Sequence, residues 1–183
     1  MECAKLYRGL NGLIGEDVVI RKVADADSAF HARFSATARH YRYRITNRPV
    51  ALGRNQVWYV PSGLDVEAMT SDAETLVETN DLASFCERRE AVDRNTTVNM
   101  YVSEISEREG EIQLDLIANR FLINLVRSVV GTLVAVGRGN RPKDSMHDII
   151  ALRDCRAAGQ SAPAHGLCLI QVFYDEQFTI PVR

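Results

Sequence analysis

The chain has 183 residues, of which 46% are hydrophobic and 25% are charged, and its formal net charge is −2. This composition is typical of a soluble globular protein, and the length suits one large domain or two small domains that share a sheet. No segment approaches the roughly 18 consecutive apolar residues of a membrane helix, and the N-terminus lacks the layout of a signal peptide. The four cysteines are scattered, so neither structural zinc nor a disulfide framework is expected, and a reducing cytoplasm is the expected location.

Turn residues and apolar periodicity divide the chain into short elements. Near the N-terminus, the glycines and Asn11 predict turns, followed by a short strand at Val18–Val23. The later predicted elements are a strand at Gln56–Val60, a helix at Asp65–Thr79 with Asp65 as N-cap, an exposed loop at Glu87–Arg94, a hairpin of Val98–Ser106 and Glu111–Ala118, a helix at Asn119–Gly137 with Asn119 as N-cap, a helix from Pro142 to about Arg156, and a strand at Leu167–Tyr174. This order predicts an α+β fold with helices packed on one face of a mainly antiparallel sheet.

The same periodicities predict which side chains share a face. On the second hairpin strand the inward residues are Ile112, Leu114, Leu116 and Ala118. On the Pro142 helix the buried residues are Met146, Ile149, Ile150 and Leu152. On the helix before it, the polar and small residues that share one face are Arg120, Asn124, Arg127 and Gly131.

The segment Phe30–Ile45, which reads F-H-A-R-F-S-A-T-A-R-H-Y-R-Y-R-I, has the most informative pattern. Its last seven residues alternate, with Arg39, Tyr41, Tyr43 and Ile45 on one face of a strand and His40, Arg42 and Arg44 on the other. No acidic residue occurs between Asp27 and Asp65, whereas that interval contains six arginines. Concentrated positive charge is the usual footprint of a polyanion site, although alternation alone favours an ordinary amphipathic strand with a solvated basic face.

Residue types and spacing do not identify a catalytic centre. The four histidines lack metal-ligand spacing, and there is neither a glycine-rich phosphate loop nor a G-x-S-x-G segment. The most prominent carboxylates each have a structural explanation at a helix start, in a turn or on a strand; they are Asp65, Asp81, Asp115 and Asp144.

Five segments, in order along nearly the whole chain, resemble the tRNA pseudouridine synthase A family. The Phe30–Ile45 segment resembles the family signature, and the opening R-G-L-N-G-L-I-G-E-D-V resembles L-N-x-L-L-P-x-D-I, with Gly15 in place of the usual proline. N-D-L-A-S-F-C from Asn80, N-R-F-L-I-N-L-V-R from Asn119 with the following V-G, and A-P-A-H-G-L-C-L from Ala162 are similar to three further family segments.

This resemblance implies conversion of uridine to pseudouridine in the anticodon stem-loop of tRNA, at positions 38–40, without a cofactor. An aspartate nucleophile attacks a flipped-out nucleotide in that family, and the base is released, rotated and rejoined through carbon. By motif position, Tyr41 would stack on the base, Arg127 would orient the catalytic aspartate, and Leu167 would line the base pocket. The resemblance also implies a cytoplasmic homodimer, and the arginines expected to contact tRNA are Arg33, Arg39, Arg42 and Arg44.

The chain departs from the family in one important respect. The G-R-T-D-A-G segment that carries the nucleophile does not occur in the 183 residues. We therefore expect residues 1–183 to form the larger, C-terminal part of a synthase domain, with residues 1–29 connecting to a missing N-terminal subdomain, and we expect this chain alone to be inactive. The alternatives are a non-catalytic RNA-binding module and a structural protein without a nucleic-acid role. Asn99, where the family often has arginine, is a smaller departure.

Overall fold

In a computed structural model, the chain is described over residues 2–87 and 95–174, and its contacts divide it into two units, residues 1–35 and 36–183. Apart from Glu87, the loop predicted at Glu87–Arg94 lies outside the described residues. None of the helices in the described part is long and apolar enough to cross a membrane.

The first unit contains a helix, α1 (Cys3–Leu13), where the sequence predicted turns. The amide of Asn11 donates to the carbonyl oxygens of Tyr7 and Ile20, and its Oδ1 accepts from the Ile20 N–H at 2.8 Å. The strand predicted at Val18–Val23 is therefore wrong, because this segment is bonded to a side-chain amide instead of to another strand. Asn11 acts from within the helix and does not mark a turn.

The second unit is built on a five-stranded sheet. Its strands are β1 (Ala36–Thr46), β2 (Trp58–Tyr59), β3 (Met100–Arg108), β4 (Glu111–Ala118) and β5 (Leu167–Tyr174). The central strand β1 pairs with β4 along one edge, and β4 pairs with β3 in the predicted hairpin. Along its other edge, β1 pairs with β5 and, at Ile45 and Thr46, with β2. Among the described strands, the short β1–β2 pairing is the only parallel one, so the predicted mainly antiparallel sheet is confirmed.

Three helices are described in this unit; the first two pack against the sheet, as predicted for an α+β fold, and the third packs against the first. They are α2 (Val66–Glu74), α3 (Leu125–Gly137) and α4 (Ser145–Leu152). Asp65 caps α2 as predicted, because its Oδ1 accepts from the Ala68 N–H at 2.9 Å. The four inward side chains predicted on β4 are all buried, in one core with the apolar faces of the three helices.

The start of α3 differs from the prediction. The helix begins at Leu125 and not at Asn119, whose Oδ1 instead accepts from the Asn99 N–H at 2.9 Å. The Asn119 N–H in turn donates to the Asn99 carbonyl oxygen, so this residue extends the hairpin pairing and does not cap a helix. Asn124, with φ of 63°, stands immediately before the helix. Arg120 consequently lies outside the helix, whereas Arg127 lies in its first turn.

Helix α4 is shorter than predicted. Met146 and Ile149 are buried as expected and Ile150 is half-buried, but Leu152 is 65% exposed, so its predicted burial is wrong. The reason is that Arg153 adopts a left-handed conformation with φ of 50° and ends the helix after Leu152.

A buried carboxylate links α2 to the start of α4. Asp72 on α2 is fully buried, and its Oδ1 accepts from the Met146 N–H at 3.3 Å. Its Oδ2 has no hydrogen-bond partner among the described residues. Burial therefore raises the pKa of Asp72 above the ordinary carboxyl value, since the charged form has lost its hydration.

Candidate functional site

A cavity of about 150 Å³ lies where β1, the start of α3 and the start of β5 meet. Tyr41, Arg127 and Leu167, the three residues that the resemblance assigns to the site, all line it. They come from three separate segments of the sequence, so only the packing of the second unit brings them together. Their proposed roles stay predictions.

The geometry distinguishes the two tyrosines of the signature strand. Tyr43 is fully buried, its hydroxyl donates to the Pro163 carbonyl oxygen at 2.6 Å, and burial raises its pKa above the ordinary value. A Cβ on Gly166 would lie 2.7 Å from the Tyr43 ring, so this glycine allows the chain to cross the ring. Tyr41 is only half-buried and contacts Phe121 edge-to-face at 4.7 Å between ring centroids. Of the two tyrosines, only Tyr41 lines the cavity.

Two hydrogen bonds fix the guanidinium of Arg127. Its Nε donates to the Ala162 carbonyl oxygen at 2.7 Å, and its Nη1 donates to Asn124 Oδ1 at 3.2 Å. Asn124 is held in turn, because its Nδ2 donates to Glu87 Oε1 at 2.8 Å. Within residues 2–87 and 95–174, Arg127 forms no ion pair with a carboxylate. Its charge is therefore positioned but not compensated by these residues, which suits binding of an anionic group.

Close packing of α3 on the loop before β5 explains why position 131, one turn after Arg127, is a glycine. A Cβ on Gly131 would lie 1.8 Å from the Gln160 carbonyl oxygen, so only glycine permits this approach. The same loop supplies Ala162, whose carbonyl oxygen accepts from Arg127 and whose N–H donates to the Arg127 carbonyl oxygen at 2.9 Å. Arg127 and Gly131 thus contact one loop, as their shared helical face predicted.

The basic face of β1 has carboxylate partners that the local sequence does not contain. Arg42 Nε donates to Asp115 Oδ1 at 2.9 Å, and the same oxygen lies 2.5 Å from His40 Nε2. Arg44 forms a bidentate pair with Glu111 at 2.8 and 2.6 Å, which lowers the pKa of the Glu111 carboxyl. Both carboxylates come from β4, so pairing of the strands reduces the net charge that the arginine-rich segment suggested. One indication of this pairing was present in the sequence, since Asp115 alternates with core residues on a predicted strand.

The other two predicted RNA-contacting arginines have different surroundings. Arg39 Nη1 donates to the carbonyl oxygens of Ala36 and Asn119, at 2.9 and 2.6 Å. Arg33 lies in the first unit, with its guanidinium carbon 5.7 Å from the centroid of the Phe34 ring. The four predicted arginines therefore differ in their contacts, with carboxylates on β4 for two of them, backbone carbonyl oxygens for one and an aromatic ring for one.

A larger cavity, of about 580 Å³, adjoins the basic face of β1. It is lined by Arg42, Arg44, Asn55, Gln56, Gln113, His165, Leu167, Cys168 and Ile170. The sequence predictions did not single out the three amides or His165 for a site. No local motif could have shown this cavity, because its lining residues come from four separate segments that meet only in the folded sheet.

Comparisons with known proteins match the sequence of this chain to one family of enzymes. The sequence model of the tRNA pseudouridine synthase family matches residues 73–175. A tRNA pseudouridine synthase A of Geobacillus sp. (strain WCH70) is 38% identical over 171 residues, which are 92% of this chain and 68% of that protein. Enzymes of the same name from Chloroflexus aurantiacus (strain ATCC 29366 / DSM 635 / J-10-fl) and Shewanella baltica (strain OS155 / ATCC BAA-1091) are 41% and 35% identical over 175 residues. Those alignments cover 92% and 94% of this chain, and 63% and 67% of the relatives.

The chain therefore belongs to the tRNA pseudouridine synthase family, and the resemblance found in its sequence is confirmed. It spans about two thirds of the length of these relatives.

Proposed function

We propose that this chain carries the base-binding part of an isomerase site that converts uridine to pseudouridine in the anticodon stem-loop of tRNA. The observation that supports this most directly is the meeting of Tyr41, Arg127 and Leu167 around one cavity. A flipped-out base loses its stacking partners, and an aromatic ring in the receiving pocket compensates part of that loss. Tyr41 supplies the ring in this proposal, and Leu167 supplies an apolar wall.

Arg127 orients the catalytic aspartate in this proposal. Its Nε and Nη1 donate to Ala162 and Asn124, which fix the guanidinium plane, and no described residue accepts from Nη2, which can therefore bind a carboxylate. A carboxylate held by a charge-assisted hydrogen bond stays ionised and keeps one orientation, as a nucleophile requires. We propose that the aspartate comes from an R-T-D segment that residues 1–183 do not contain, and that residues 1–29 connect to the subdomain that carries it.

A substitution of Tyr41 tests the stacking role. We expect Tyr41→Ala to weaken binding of an anticodon stem-loop RNA by roughly five- to a hundredfold, the usual effect of losing one base-stacking ring. Tyr41→Phe retains the ring and serves as the matched control, with affinity close to that of the original chain. Fluorescence anisotropy with a labelled stem-loop measures both. Equal affinity of Tyr41→Ala and the original chain would contradict the proposal.

The catalytic part of the proposal has a separate test. We propose that the 183-residue chain alone releases no tritium from tRNA labelled at uridine C5, because no described carboxylate forms an ion pair with Arg127. Turnover by the isolated chain would contradict this and direct the search for a nucleophile to Asp81, Asp93 or Asp115.

A non-catalytic RNA-binding module is the second candidate, favoured by a preserved cavity in a chain without the nucleophile motif. In either case the basic residues should contact tRNA. We expect Arg39→Ala and Arg42→Ala each to reduce affinity and to lower the slope of log affinity against log salt by about one. Unchanged affinity in both variants would favour a structural protein without an RNA role.

We propose further that the protein acts in the cytoplasm, where its tRNA substrate is made, and that it is a homodimer. The second statement rests on the family resemblance. Light scattering after size-exclusion chromatography tests it, and a monomer at micromolar concentration would contradict it.

A further inference from the structure

The cavity of about 580 Å³ beside the basic face of β1 has the size and lining of a nucleotide site. We propose that it receives the nucleotide next to the target uridine, and that its amide and imidazole side chains bind the edge of that base. This inference rests on the proposed function, since the ligand is a second nucleotide of the same RNA.

The cavity presents hydrogen-bonding groups that no other described residue uses. The side chains of Asn55, Gln56 and His165 are exposed and have no hydrogen-bond partner among the described residues. An amide offers a donor and an acceptor side by side, which is the arrangement that base edges match. An imidazole ring can also stack on a base. Such a set is suited to an unpaired nucleobase, because a phosphate would use only the donors.

The charge of the cavity agrees with a base as the ligand. Arg42 and Arg44 line the cavity, but Asp115 and Glu111 compensate their charges. The cavity wall is therefore polar without being strongly cationic. Arg42 bonds only through Nε, and its two terminal nitrogens have no hydrogen-bond partner in the described ranges. They can donate to the phosphate of a nucleotide whose base lies against the amides. A site for free phosphate would be smaller and more strongly charged.

One residue places the two cavities side by side. Leu167, the first residue of β5, lines both the small cavity with Tyr41 and Arg127 and the larger one with Arg42 and Arg44. Tyr41 and Arg42 point to opposite faces of β1, so the two cavities open on different faces of the sheet and meet at Leu167. An RNA strand that passes around this residue would place one nucleotide in each cavity, which suits neighbours in one strand.

Abasic RNAs test the proposal with the full 183-residue chain. Three anticodon stem-loops are compared with the intact RNA by fluorescence anisotropy; one lacks the base of the target uridine, one its 5′ neighbour and one its 3′ neighbour. We expect one of the two neighbour-abasic RNAs to bind about tenfold more weakly than the intact RNA. In the double variant Asn55→Ala and His165→Ala, that difference should fall below about twofold. Both residues are exposed and unbonded, so the variant is expected to fold normally.

The matched control is Gln171→Ala, which removes an exposed amide of β5 that does not line the cavity. The tenfold difference should persist in this control. If both neighbour-abasic RNAs bind as tightly as the intact RNA while the target-abasic RNA binds weakly, this inference is overturned and the proposed function stands. A neighbour effect that survives in the double variant also overturns the inference. If the original chain does not bind the intact RNA, both the inference and the proposed function are overturned.

Discussion

Replacing Gly131 by alanine tests whether close packing of α3 on the loop before β5 builds the site. The added Cβ would lie 1.8 Å from the Gln160 carbonyl oxygen, whereas real Cβ atoms essentially never approach closer than 3.0 Å, so helix or loop must move by at least about 1.2 Å. Overpacking of this kind costs about 1–3 kcal/mol. Displacing the loop also weakens the bonds from Gly159 N–H to Thr132 and from Arg127 to Ala162, each contributing about 1 kcal/mol.

The helix preference of alanine over glycine offsets about 1 kcal/mol of this loss. We therefore expect Gly131→Ala to reduce the free energy of unfolding by about 2–4 kcal/mol and the melting temperature by roughly 5–15 °C. Urea unfolding followed by circular dichroism measures the change. Gly9→Ala is the matched control, because Gly9 is also helical and a Cβ there meets nothing within 4 Å. Unchanged stability of Gly131→Ala would refute the assignment of this glycine to close packing.

Three further predictions concern the buried acid, the paired arginine and helix α4. Burial raises the pKa of the Asp72 carboxyl in the folded chain above its ordinary value, so the folded chain loses stability as pH rises from about 4 and this carboxyl ionises. Relative to Asp72→Asn, the original chain should therefore lose urea resistance as pH rises above about 4, and equal pH profiles would contradict this. Glu111→Gln removes the carboxylate partner of Arg44. We expect this variant to bind RNA more tightly and the slope of log affinity against log salt to become steeper by about one. Unchanged binding would place Arg44 outside the surface that contacts RNA. Met146→Ala should reduce the free energy of unfolding by about 2–5 kcal/mol and Leu152→Ala by less than about 0.5 kcal/mol, since of these two side chains only Met146 is buried. Similar urea midpoints for the two variants would refute the observed end of α4.

Some elements could be predicted because their patterns are local. The alternation of apolar residues from Glu111 to Ala118 located one strand at its observed bounds, since a strand with one buried face must alternate. The strand predicted at Leu167–Tyr174, after a loop rich in turn residues, also has its observed bounds. Asp65 was recognisable as an N-cap because capping uses only the chemistry of the first helical turn. Asn119 offered the same local signal, but its side chain pairs with the backbone of Asn99 across the hairpin. A capping residue with a long-range partner cannot be distinguished from sequence alone.

The sequence by itself determined the family and the α+β class, because these follow from ordered motifs and from periodicity. Its assignment of Tyr41, Arg127 and Leu167 to a base pocket stays a prediction. Tertiary structure alone decided that Tyr43 is buried while Tyr41 lines the cavity, since burial depends on the packing of α3 and the loop against β1. It also decided that the charges of Arg42 and Arg44 are compensated, because their carboxylate partners lie on β4, about 70 residues away in the chain. Side chains that are distant in sequence meet only when strands pair, and no local pattern contains that information.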